Sequence, residues 1–320
     1  MKTWTRWFLM ALLAAAAASA QAQAEPGRVL HLIVPTGAGS TVDVRARWLA
    51  DKLSGEFKQT IVVENRPGAA GNLSAAAVAR APADGNTLLV VHQGLLAINP
   101  HLFVRPGFDA LVDFVPVARL GVGPLVLVAG PQTPMRSLSD LMQLAKARPG
   151  ALSYASPAIG SPPFLAAELM KSMAGIDVLH VPFQEAAITQ TIGGQVAFTI
   201  DNAAVVLPHI KTGRLRALAV TGRQRLATLP DVPTFAEAGL PGYEYYAWMG
   251  VAAPAGTPAA VVQRLNRQIS AVLVTEESRA WFVVQGVDPG DQSAEAFAAF
   301  VRDENAKAGG LIRQLGLRIE

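Results

Sequence analysis

From Val29 to Thr221, short β-branched apolar runs alternate with stretches of helical spacing, and this alternation constrains the fold more than any other feature of the chain. Val29-Leu-His-Leu-Ile-Val34 reads as a buried strand and Pro35-Thr-Gly-Ala-Gly-Ser-Thr41 as a turn. Val42 to Leu53 is apolar at Val44, Trp48, Leu49, Ala50 and Leu53, which is helical spacing. Strands are expected again at Thr60–Glu64 and Thr87–Val91, with an alanine-rich helix from Leu73 to Arg80 between them. Such alternation implies parallel strands with helices on both faces. The style repeats from Leu125. Strands are expected at Leu125–Val128, Leu152–Ala155, Val178–Val181, Val196–Ile200 and Leu215–Thr221. Ser137 and Asp140 have the spacing of a capping box, and a Phe164–Ala174 helix stops at Gly175. Past Asp231 come loops, an aromatic stretch (Tyr243, Tyr245, Tyr246, Trp248) that reads as packing between domains, and a short strand, Met249–Ala253. Helical segments then begin at Thr257-Pro258, with Thr257 as N-cap, and split at Gly286–Gly290; they are expected to pack on the first sheet.

Two domains fit 320 residues, about twice the usual domain size. Hydrophobic residues make up 51% and charged residues 16%, enough apolar surface for two cores. The absence of cysteine excludes disulfides, thiolate metal sites and cysteine nucleophiles. Lys2 and Arg6 precede an apolar run from Trp7 to Ala18 and a small-x-small site, Ala22-Gln23-Ala24. Residues 1–24 are therefore expected to be a secretory signal, cleaved after Ala24. Its removal takes away two positive charges and no acid, so the exported chain is nearly neutral. No block of like charge is present, so the footprint of a nucleic-acid binder is missing.

The chemistry concentrates in two similar corners. Gly37-Ala-Gly39-Ser-Thr41 lies between a strand and a helix start, and so does Ile159-Gly-Ser161, with Pro162 and Pro163 in the first turn. A helix start offers free amides and the positive end of the helix dipole, and glycine lets the backbone approach a ligand. Two such corners on different domains would face each other across a cleft at the carboxyl ends of the strands. Other chemistry is thin. His31, His92, His101, His180 and His209 show no metal-ligand spacing, no GxSxG elbow is present, and no paired-carboxylate motif appears. His31 and His180 read as core residues. Arg45, Arg47 and Lys52 read as a solvated helix face.

Ordered motifs along the chain carry a family resemblance. They include Pro35–Asp43, Val63-Glu-Asn-Arg-Pro-Gly68, Asp84-Gly-Asn-Thr-Leu88, Ile98-Asn-Pro100, Ile159-Gly-Ser161, His180-Val-Pro-Phe183, Asp201-Asn202, Leu207-Pro-His-Ile-Lys211, Leu229-Pro-Asp-Val-Pro-Thr234 and Ala253-Pro-Ala-Gly-Thr257. With these the chain resembles the Bug-type periplasmic solute-binding proteins of tripartite tricarboxylate transporters, over its whole mature length. The resemblance implies an α/β fold of two doubly wound domains with a central cleft, the type II periplasmic binding protein architecture. It implies residues 25–127 plus 248–320 as one domain and 128–247 as the other, with a hinge at two crossovers. The partners it implies are a small-molecule carboxylate and inner-membrane transporter subunits, or a membrane sensor in their place. A monomer in the periplasm, with no cofactor, no metal and no catalysis, is expected.

The ligand residues implied are Thr36, Gly37, Ala38, Gly39, Ser40 and Thr41 in the first corner and Ser156, Ile159, Gly160 and Ser161 in the second. Gln93, Phe164, Phe183, Glu185 and Asp201 complete the expected lining. The chain departs from the family pattern at Ser40 and Val42, at Leu95-Leu96, at Phe164, and at Gln184-Glu185. These changes imply a cleft less basic and more apolar than usual, suited to one carboxylate on an apolar or aromatic body rather than to citrate. Glu185 would pair with a ligand amine or stabilise a helix start. A competing reading is an exported serine hydrolase using Ser40, Ser156 or Ser161, for which the sequence places no base.

Overall fold

The computed structural model describes residues 29–183, 187–290 and 292–320. The signal segment 1–24 and Glu185 lie outside the described residues. Strand β1 (Leu30–Val34) pairs in parallel with β2 (Ile61–Asn65) and β3 (Thr87–His92). In the other half β5 (Ser153–Ser156) pairs in parallel with β6 (Leu179–Pro182) and β7 (Phe198–Asn202). The expected parallel βαβ units are therefore present. Two antiparallel strands between them contain the expected Leu125–Val128 and Met249–Ala253 but run longer than the sequence reading expects.

Those strands are β4 (Phe114–Ala129) and β9 (Tyr246–Pro254). Residues Phe114 to Pro124 of β4 pair with β9, which also pairs with β3. Leu125 to Ala129 pair instead with β7 and with β8 (Arg216–Val220). One continuous strand thus belongs to both halves. Its first part escapes a reading by pattern because Pro116, Gly121, Gly123 and Pro124 punctuate it like loops. Register shifts at Pro116/Ala118 and Arg119/Gly121 absorb the irregularity. Gly121 and Gly123 are needed because β10 (Asp288–Pro289) and the turn before it lie on the strand. A β-carbon at Gly123 would sit 2.7 Å from the Gly286 carbonyl oxygen.

Helix α1 (Thr41–Phe57) buries Ala46, Leu49, Ala50 and Leu53 against β1. Val44, expected on that face, is 48% exposed. Short helices α2 (Asn72–Val78) and α3 (Asn99–Leu102) follow. Helix α4 (Leu138–Ala147) carries the expected capping box, Ser137 Oγ accepting from the Asp140 amide at 3.1 Å and Asp140 from the Ser137 amide at 3.0 Å. Helix α5 (Pro162–Ala174) stops at Gly175, whose φ of 60° suits glycine. Helices α6 (Ala187–Ile192) and α7 (Ala203–Lys211) flank β7.

The C-terminal part forms α8 (Ala259–Leu273), α9 (Glu276–Val284) and α10 (Ala294–Gln314). Thr257 does not cap α8. Its hydroxyl donates to the Pro254 carbonyl at 2.8 Å, and Pro258 takes the cap position. Phe297, Val301, Ala308 and Ile312 of α10 join the core around Leu95 to Leu102 and Trp248, so these helices do pack on the first sheet.

Candidate functional site

The strand ends converge on one cleft of about 690 Å³. Thr36 to Thr41 leave β1, His92 ends β3, Phe183 follows β6, and Asp201 and Asn202 end β7; all line it. These are carboxyl ends of strands, where ligands of open α/β sheets bind. Pro157, Ser161, Pro162 and Pro163 line the cleft from the second half, and Trp248 and Met249 from β9.

Asp43 shapes the first corner. Its carboxylate accepts from the Gly39 amide at 2.8 Å, from Asn65 Nδ2 at 2.8 Å and from Arg47 Nε at 3.1 Å. Ser40 Oγ caps the helix, accepting from the Asp43 amide at 3.2 Å, and shares a hydrogen bond with Thr36 Oγ1 at 2.7 Å. Gly39 has φ of 81°, the left-handed region, which lets its amide turn inward to Asp43. The amides of Thr41 and Val42 in the first turn have no intrahelical acceptor, and both residues line the cleft.

The second corner differs from the expected cradle. Pro162 and Pro163 have no N–H, and the Ser161 amide and hydroxyl both donate to the Ala158 carbonyl, at 3.1 and 2.7 Å. This corner supplies a hydroxyl oxygen and apolar rings instead of amides. Of the other expected residues, Ser156, Ile159, Gly160, Phe164 and Gln93 do not line the cleft. Phe164 is buried edge-on to His180 at 4.7 Å, and Gln93 is buried with Nε2 3.3 Å from Glu304. Gly160, with φ of 84°, packs against Leu102 of α3, where a side chain has no room. Leu95 and Leu96 are also fully buried away from the cleft. The substitutions at Phe164 and Leu95-Leu96 therefore do not set the polarity of its wall.

Sequence reasoning missed three polar groups. Arg45 is 6% exposed and lines the cleft, instead of lying on a solvated face. Its Nε and Nη2 are buried without a hydrogen-bond partner. Burial lowers its pKa to about 10, so it stays charged at neutral pH. The signal was available: Arg45 stands four residues after Thr41, on the same helix face as the corner. Arg47, the other arginine of that stretch, is exposed and pairs with Asp43. His92 is half-buried, its Nε2 enclosed and unpartnered, and the loss of solvent around the ring lowers its pKa to about 4, which makes it a neutral wall. Trp248, read as packing, both packs edge-on to Phe297 and Phe300 and lines the cleft with a buried, unpartnered Nε1. Tyr243 and Tyr245 of the same stretch are packing residues, Tyr243 stacked on Phe235 at 4.1 Å.

Asp201 faces the same space. Burial raises its pKa to about 6, against the lowering effect of hydrogen bonds from the Asn202 amide and side chain. Folding therefore favours the protonated acid, and the native state loses stability as pH rises from about 4 to about 6. Asp201→Asn is expected to raise the melting temperature at about pH 7.5 and to lose that gain by about pH 4; a gain equal at both pH values would show that the carboxylate charge is not its source.

His31 and His180 are not core residues. His31 bonds Glu64 at 2.6 Å near the surface, and half-buried His180 meets Ser156 Oγ at 2.8 Å. Sequence spacing did not reveal that Ser–His pair. Ser156 is fully buried and also donates to the Ala158 carbonyl, so its oxygen reaches no substrate. Among the described residues, no group of three His, Asp or Glu side chains is placed to hold a metal ion.

Two α/β halves joined through one shared strand, β4, with a cleft at the strand ends, have the architecture of a two-domain binding protein. The chain belongs to the tripartite tricarboxylate transporter family receptors, whose family model matches residues 45–317. It is 36% identical over 307 residues to Protein BugT of Bordetella pertussis (strain Tohama I), covering 95% of this chain and 94% of that one. The fold is similar to that of R. palustris Rpa4515 with adipate, with a TM-score of 0.87 and 35% identity over 92% of this chain and 99% of that one. It is also similar to MatC (Rpa3494) from Rhodopseudomonas palustris with bound malate, with a TM-score of 0.82 and 30% identity over 90% of this chain and 100% of that one. The protein is thus a solute-binding receptor of the Bug kind and not an enzyme.

Proposed function

We propose that the protein is exported after cleavage near Ala24, captures an organic acid with one carboxylate and an apolar or aromatic body, and passes it to inner-membrane transporter subunits. The observation that carries this reading is a single cleft lined by Gly39 and Ser161, which lie far apart in the sequence. Residues 25–127 with 248–320 act as one lobe and 128–247 as the other. They close by bending at β4 and β9, the strands that cross between them. One carboxylate sits against the first turn of α1. Pro157, Pro162, Pro163, Phe183 and Ile188 surround the body. A second carboxylate would meet Asp201, which is largely ionised at neutral pH, and the repulsion disfavours it.

The test is a thermal-shift panel of hexanoate, adipate, citrate and the neutral hexanamide. Hexanoate and adipate share a chain length and differ by one carboxylate. Hexanoate is expected to stabilise most and hexanamide least. Greater stabilisation by adipate or citrate would overturn the one-carboxylate reading, and a protein that no acid stabilises would overturn acid binding itself.

A further inference from the structure

Arg45 presents a charge that the protein itself does not neutralise. The guanidinium is buried, no ion pair or hydrogen bond of its Nε or Nη2 exists among the described residues, and the carboxylate nearest in sequence, Asp43, is committed to Gly39, Asn65 and Arg47. A buried charge without a partner is costly, and it persists where a ligand or a partner group repays the cost. Nε and Nη2 form one edge of the guanidinium, with two parallel N–H bonds pointing the same way. That edge matches the two oxygens of a carboxylate. Arg45 also stands one turn above Thr41, so its charge and the free amides of the first turn of α1 act on the same side of the cleft.

We propose that the buried Arg45 guanidinium, its Nε–Nη2 edge uncovered as the acid enters, grips the ligand carboxylate two-pronged and makes the cleft selective for acids over neutral molecules of the same shape. This deepens the carboxylate reading above and rests on it. The amides of Thr41 and Val42 then orient the acid, while Arg45 supplies the charge that pays for its desolvation. Because the arginine is uncompensated without ligand, it costs stability in the ligand-free protein and returns it on binding.

The experiment compares the wild type with Arg45→Met and Arg45→Lys, by melting without ligand and by calorimetry with the acid of the panel that stabilises the wild type most. Arg45→Met is expected to melt higher than the wild type without ligand. It is expected to bind that acid about 100-fold more weakly, the loss of two charge-assisted hydrogen bonds. It should also bind hexanoate and hexanamide alike. Arg45→Lys keeps the charge without the fork and should lose about tenfold. Acid binding by Arg45→Met within about threefold of the wild type, or a ligand-free melt below the wild type, would overturn the assignment to Arg45 and leave acid capture standing. A wild type that binds no acid of the panel overturns the reading on which it rests, and the proposal with it.

Discussion

Replacing Asp43 with alanine is expected to weaken acid binding by about 100-fold and to cost about 2–3 kcal/mol of stability. Asp43 is 2% exposed and holds the Gly39 amide, Asn65 and Arg47 in one network. Asn65 in turn donates to the Thr36 carbonyl at 3.1 Å, so the network fixes both ends of the Thr36–Ser40 corner. Alanine would leave the Gly39 amide and one Asn65 N–H without their acceptor and release the corner that aims the first turn of α1 at the ligand. Burial opposes the charge of Asp43. The Gly39, Arg47 and Asn65 donors outweigh it and hold its pKa below the ordinary 3.8. The sign follows from linkage: the stabilisation is complete above the unfolded pKa and is lost as pH falls through the lower folded value. Denaturant titrations of wild type and Asp43→Ala should therefore converge in strong acid and diverge at neutral pH. A constant difference across that range would mean that the charge of Asp43 does no stabilising, and unchanged acid affinity would remove the corner from the site.

The largest effect on stability alone is expected at Gly250. This residue lies in β9 between Val91 of β3 and Arg119 of β4, so its backbone is paired on both sides. A β-carbon there would stand 2.7 Å from the Ala118 carbonyl oxygen and would press into the Phe297 ring, which is fully buried. Neither neighbour has room to give. Gly250→Ala is expected to cost about 3 kcal/mol and to lower the melting temperature by roughly 6 °C or more. Phe297→Leu in the same chain should recover part of that loss and none of the clash with the strand. A melt within a degree or so of the wild type would show that β9 and α10 are less tightly packed than described.

What could be read from residues alone follows the range of the forces involved. The capping box of Ser137 and Asp140 and the stop at Gly175 depend on atoms a few positions apart, and both stand as expected. The Gly37–Thr41 corner was legible for the same reason. The first half of β4 was not, because its Pro116 and Pro124 are tolerated only through pairing with β9, more than a hundred residues away. Phe164 and Leu95-Leu96 looked like cleft residues by position in a motif, but only tertiary packing decides which way a side chain points. Arg45 illustrates the opposite error. Charge suggested solvent, whereas its place on the helix already put it beside the corner.

A crystal structure with the most stabilising acid of the panel tests the central claim most directly. The expected result is one acid between the lobes, its carboxylate within about 3 Å of Arg45 and of the Thr41 or Val42 amide, with Ser161 and Asp201 on the facing wall. An acid bound outside that cleft, or inside it with its carboxylate turned away from α1, would contradict the account.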